Sequence, residues 1–244
     1  MRTQLLQLSE RSTDFTITLD PPIKFDENKE YEASLVHLET YNSIPNITKE
    51  NNVFKYSNDK GNTWKLIELP TDAYEYTDIV DEIHKEMIKN KDYDHEKDEY
   101  FINFDVCRLS SIIEIKNDNY IIDFNCENSI GTTLGFTNEI LNYGSHKSPK
   151  IVDIMKINTI SVNVDFISGA YLNKCPYPSI YSFYPKVGPG YKIIEKPNNL
   201  FYLPINAKTL HKIRLWLTDQ NGKVIDLQGE VLTVAIYIKQ IKSS

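Results

Sequence analysis

The chain has 244 residues, 41% apolar and 25% charged, with a formal net charge of −7. That is ordinary material for a globular protein with a sizeable core, and the acidic balance argues against strong direct binding of nucleic acid, which needs a basic face. Three widely spaced cysteines, Cys107, Cys126 and Cys175, argue against a disulfide framework, and neither a secretory leader nor a membrane span is expected.

The elements follow in chain order. Phe15, Ile17 and Leu19 alternate with Thr16 and Thr18, which predicts a strand that Asp20-Pro21-Pro22 should break. From Tyr31 to Tyr41 apolar residues occupy both faces (Ala33, Leu35, Val36, Leu38), so this strand should be central, ended by Ile44-Pro45-Asn46. Val53 to Tyr56 and Trp64 to Leu69 flank a loop containing Gly61, which reads as a hairpin. One helix follows. Thr77 is the expected N-cap, with Asp78, Asp81 and Glu82 near the positive end of the dipole. Ile79, Val80, Ile83, Met87 and Ile88 make its apolar stripe. Residues 91–99 are charged and apolar-poor, which predicts an exposed loop; its Asp92, Asp94, His95, Glu96 and Asp98 resemble hard-cation ligands but lack the central glycine of a calcium loop. Strands are expected at Tyr100 to Val106, Ile112 to Lys116 and Tyr120 to Cys126, the last two joined by a tight turn at Asn117-Asp118-Asn119. Ser129 to Phe136 reads as a short helical turn or tight loop, and Asn142 to Lys150 as a loop.

The last third has the clearest pattern. Ile160, Val162, Val164 and Phe166 alternate with Thr159, Ser161, Asn163 and Asp165; Ile213, Leu215 and Leu217 alternate with Lys212, Arg214 and Thr218; and Leu232, Val234, Ile236 and Ile238 follow, with Val231, Thr233 and Tyr237 on the other face. Between the second and third runs, Asn221-Gly222 predicts a hairpin, because this pair accepts positive φ at both central positions. The class is all-β, an antiparallel sandwich or barrel.

Nucleophile, phosphate-loop and zinc motifs are missing, so no enzymatic activity and no cofactor are expected. Gly188-Pro189-Gly190 suits a rigid turn better than a phosphate cradle, since proline removes a backbone donor. Tyr177, Tyr181, Tyr184 and Tyr191 could form a sugar- or protein-binding surface, although core packing accounts for many tyrosines equally well.

Several segments together carry a resemblance. They are Leu134-Gly135-Phe136, Gly144-Ser145-His146, Ser168-Gly169-Ala170-Tyr171 and Ile180 to Pro185. Gly188 to Glu195, Tyr202-Leu203-Pro204 and Leu217 to Gly222 with Gly229-Glu230 follow in order. The chain resembles the minor capsid protein of Polinton/Maverick elements and related adintoviruses. The resemblance implies a single jelly-roll domain over residues 1–244, with the hairpin and helix at about 50–99 as insertions. It also implies a penton-like structural role in a virion: a homo-pentamer at each capsid vertex, among trimers of a double jelly-roll major capsid protein. Tyr181, Tyr184, Tyr191 and Tyr202 would then lie at the subunit interface, in a segment pre-ordered by Pro185, Pro189 and Pro197. The alternative is a monomeric β-sandwich that binds a glycan or protein receptor.

Overall fold

A computed structural model describes residues 3–172 and 174–241. The chain forms two compact units: Met1–Ile44 with Ile157–Ser244, here the sandwich unit, and Pro45–Lys156, here the inserted unit. The hairpin and helix expected at about 50–99 both fall inside the inserted unit, which extends beyond them on both sides.

Eight strands of four residues or more frame the sandwich unit, besides three two-residue strands: β1 (Thr3–Glu10), β2 (Asp14–Lys24), β3 (Tyr31–Tyr41), β4 (Ile160–Val164), β5 (Ser179–Phe183), β6 (Lys192–Glu195), β7 (Thr209–Thr218) and β8 (Leu232–Gln240). One sheet has the order β1-β8-β3-β6, the other β5-β4-β7-β2, and every pairing is antiparallel. This interleaving of first with last strands is a jelly roll. Period-two alternation decides what fills it. Leu35, Leu38, Val234 and Ile236 from one sheet meet Val162, Val164, Ile213 and Leu215 from the other in a single apolar core. Burying each such side chain contributes about 1.5–3 kcal/mol. β3 is central, flanked by β8 on one side and by β6 and the short segment Leu203–Pro204 on the other.

Two local expectations fail here. β2 is not broken by Pro21 and Pro22 but runs through them, with the pairing to β7 shifted between Leu210 and Lys212. An edge strand tolerates prolines because the side without a neighbour needs no N–H. Nor does Asn221-Gly222 join two paired strands, because β7 and β8 lie in different sheets. The turn closes only a short return, with one bridge between Thr218 and Val224. Positive φ occurs at Gly222 (+80°) and not at Asn221. The Asp219 carboxylate accepts from the amides of Asn221 (2.8 Å) and Lys223 (2.9 Å). Beyond it Ile225 and Leu227 bury themselves in the sandwich core, which draws the chain across to the other sheet.

The inserted unit combines a four-stranded sheet and a three-stranded sheet. The first has the order Ile140–Leu141, Ile121–Asp123, Val53–Ser57, Lys65–Glu68; the second has Gly144–Lys147, Ser110–Ile115, Ile102–Cys107. Helix α1 spans Tyr76–Lys89 and buries Ile79, Val80, Ile83 and Met87. Its N-cap is Glu75, not Thr77: the Asp78 carboxylate accepts from the Glu75 amide at 2.8 Å, half of a capping box that starts the helix two residues earlier. Ile88, expected in the stripe, is exposed. Residues 144–147 form a strand although they read as a loop. Gly-Ser-His-Lys has no apolar alternation, and the strand exists because it pairs with Ser110–Ile115. The turn at Asn117–Asn119 connects strands of two different sheets, so it is not a hairpin. The charged segment 91–99 includes a small ladder, Tyr93–Asp94 against Glu99–Tyr100.

Candidate interaction surface

The acidic run at 92–98 does not converge on a cation. Asp92 is 1% exposed, so it is not part of a solvated loop. Its Oδ1 accepts from Asn58 Nδ2 (2.8 Å) and the Tyr120 hydroxyl (2.9 Å). Its Oδ2 accepts from the Tyr56 hydroxyl (2.6 Å) and Lys65 Nζ (2.6 Å). An ammonium group thus occupies the place a metal would take. Burial pushes the Asp92 pKa up, but the bonds from Lys65, Tyr56, Asn58 and Tyr120 outweigh it and hold the carboxyl below its ordinary value. Burial, and then the neighbouring Asp92 carboxylate, push both Tyr56 and Tyr120 upward, so both phenols stay protonated donors. Among the described residues no group of three or more His, Cys, Asp or Glu is placed to hold a metal. This site is structural.

The tyrosines expected at an interface divide into two kinds. Tyr184 (64% exposed) and Tyr191 (62%) are open to solvent on the sandwich unit, Tyr184 with Lys186 Nζ 5.6 Å from its ring centroid. The other two are engaged. Tyr181 lies on β5, half-buried, and donates its hydroxyl to Glu195 Oε1 on β6 at 2.9 Å, which ties the two sheets together. Tyr202 has Lys239 Nζ 3.3 Å from its ring centroid. Gly188 and Gly190 belong to a turn fastened to Asn42: the Gly190 amide donates to the Asn42 carbonyl (2.9 Å), and Asn42 Nδ2 donates to the Val187 carbonyl (2.8 Å). That anchoring sets Tyr191 immediately before β6.

The structure adds a feature that the sequence did not announce. A groove of about 620 Å³ lies on the sandwich unit. Its lining includes four consecutive residues of β5, Ser179 to Ser182, together with Tyr171, Leu172 and Phe201. Tyr171 and Phe201 are 69% and 70% exposed. Neither stands in an alternating run. The only signal available was a large aromatic residue in an otherwise polar, Asn- and Pro-bearing loop. Tyr177, from the expected aromatic cluster, also lines the groove, and its hydroxyl is 2.8 Å from Thr218 Oγ1.

No protein-family model matches this sequence. No curated protein matches it either. Among solved structures, the chain is similar to the crystal structure of the selenomethionine-labelled mavirus penton protein, with a TM-score of 0.56 and 12% identity over 99% of this chain and 100% of that one. The chain therefore has a penton-like jelly-roll fold. The match covers both the sandwich and the inserted unit.

Proposed function

We propose that this chain is a minor capsid protein that forms the icosahedral vertices of a DNA virus particle of the Polinton/adintovirus type. The observation that carries this reading is the end-to-end structural similarity to a viral penton protein, inserted unit included. In this reading five copies close a ring by heterologous contacts, and the ring sits among copies of a double jelly-roll major capsid protein. The virion would be its place of action, with assembly in place of turnover. One domain, the sandwich with its insertion, would be the capsid building block. Tyr184 and Tyr191 support the ring, because open aromatic rings are common anchors of protein interfaces.

Light scattering of the purified protein over a concentration series, alone and co-expressed with the shell protein, tests the reading. A pentamer in either preparation is expected; a monomer in both overturns it. Replacing Tyr184 and Tyr191 by alanine should weaken the oligomer by about 2–4 kcal/mol in total without lowering the melting temperature of the monomer. An unchanged mass in that double variant would remove these two residues from the interface.

A second reading, a monomeric module for a glycan or protein receptor, is favoured by one observation, the aromatic-rimmed groove. A stable monomer that binds immobilised glycans would establish it.

A further inference from the structure

We infer that the groove beside β5 binds a neutral glycan, whose hydroxyls donate to the groove floor and whose rings stack on its aromatic rim. This deepens the receptor reading of the same groove, and it holds whether the chain is a monomer or a ring subunit. The first observation is the direction of the hydrogen bonds on the floor. Ser179 Oγ donates to the Tyr181 carbonyl at 3.1 Å. A serine hydroxyl has one hydrogen, so in the 3.2 Å contact between Ser179 and Ser182 the donor is Ser182. By the same count Ser161 donates to Ser182 across 3.0 Å. All three hydrogens are consumed within the floor, while each oxygen keeps a lone pair. Ser182 is exposed, which opens its lone pair to the groove.

Two further groups add to this excess of acceptors. Asp219 is the one charged residue in the lining. Its Oδ1 accepts both amides of its own turn, from Asn221 and Lys223, which leaves Oδ2 for a ligand. Two residues along β4 from Ser161 lies Asn163, fully buried. Its Nδ2 donates to the Trp216 carbonyl (3.2 Å) and to Thr218 Oγ1 (3.0 Å), while its Oδ1 has no donor among the described residues. A ligand that suits this groove brings hydrogen-bond donors and no negative charge, since a second anion beside Asp219 would be repelled.

The rim and the spread of the acceptors choose among donor-rich ligands. A sugar ring turns a face of weakly positive C–H bonds towards the negative face of an aromatic ring. Tyr171 and Phe201 offer such faces, both more than two-thirds exposed. An ammonium group also seeks aromatic faces and carboxylates. It is a point charge, however, and the acceptors here do not converge on one place: the serines lie on β4 and β5, and Asp219 in the turn after β7. Hydroxyls distributed around sugar rings match that spread. The groove, at about 620 Å³, is of ordinary size for a small-ligand site.

The test titrates the full chain by calorimetry with lactose, maltotriose and chitotriose, and with sialyllactose as the acidic counterpart. At least one neutral sugar should bind. Binding by none of them overturns the inference, and so does tighter binding by sialyllactose than by lactose. Phe201→Ala and Asp219→Asn should each weaken the interaction about tenfold, the loss of one stacking contact or one charged hydrogen bond. Phe201 is exposed, so its removal should leave the melting temperature unchanged, and it serves if Asp219→Asn disturbs the turn. Unweakened binding by Phe201→Ala places the sugar elsewhere and overturns the inference. So does binding of choline in place of the sugars, which would make the groove a cation site. Light scattering of the same sample judges oligomeric state separately. A pentamer that binds the sugar keeps the glycan site and refutes only the monomeric module, whereas a monomer that binds none of the sugars refutes the glycan site alone.

Discussion

The sandwich unit and the inserted unit are both made of antiparallel strands, yet different forces position them. In the sandwich unit the ladders are long, up to 11 residues in β2 and β3, and the core is almost wholly aliphatic. A slip of one residue would turn every core side chain outward, so alternation sets the register. In the inserted unit the strands have two to six residues, too few for alternation to fix a register. Its core sets aromatic rings among aliphatic side chains, with Phe124 near both Phe54 (6.3 Å) and Phe136 (5.3 Å), and beside it sits the Asp92 carboxylate with its four donors. A short-stranded unit is thus located by a buried polar network, whose members are costly to leave unpaired.

The two tryptophans allow the comparison to be broken experimentally, since Trp64 lies in the inserted unit and Trp216 in the sandwich unit. The largest effect is expected from Asp92→Ala, which strands two phenols and a partly buried lysine. It should cost about 3–5 kcal/mol in the denaturation monitored by Trp64 fluorescence in a Trp216→Phe background. The reciprocal change, Leu38→Ala, empties part of the sandwich core and should cost about 2–5 kcal/mol in the transition monitored by Trp216 in a Trp64→Phe background. If both variants shift both transitions equally, the units unfold as one and the contrast fails.

Titration sharpens the same contrast with a smaller effect. The folded-state pKa of Asp92 is depressed, so its contribution is present above the unfolded value near about 4 and is lost as pH falls through the folded value. Tyr56 and Tyr120 are raised, so their contribution is complete below about 10 and is lost as pH rises towards their folded values. Stability reported by Trp64 should therefore fall at both ends, and Asp92→Asn should flatten the acid limb. An acid limb unchanged in that variant would show that other carboxylates control it. The smallest effect is expected at Gly222. Its φ of +80° disfavours a side chain, but nothing lies within 4 Å of an added Cβ. Gly222→Ala should cost about 1–2 kcal/mol, seen in the Trp216 transition alone.

Much of the sandwich was legible because one physical rule governs it. Ile213, Leu215 and Leu217 alternate in the sequence and lie buried in the structure. Residues 144–147 were not legible, since a polar strand gains its ladder only from a neighbour. Asp92 was misread for a related reason: a carboxylate among charged residues looks solvated until its donors arrive from positions 56, 58, 65 and 120. At the candidate surface, tyrosine content could not separate exposed rings from tied ones. Tyr181 and Tyr202 are held by Glu195 and Lys239 from other strands, whereas Tyr184 has only its near neighbour Lys186 over an exposed ring.

By itself the sequence determined an all-β chain, the central place of β3 and the apolar faces of β4, β7 and β8, because side-chain alternation is a local property of a strand. Only the tertiary structure decided that β7 and β8 lie in different sheets, that Asp92 is buried among four donors, and that β5 borders a groove. Each of these depends on which distant segments become neighbours, and spacing along the chain does not encode that.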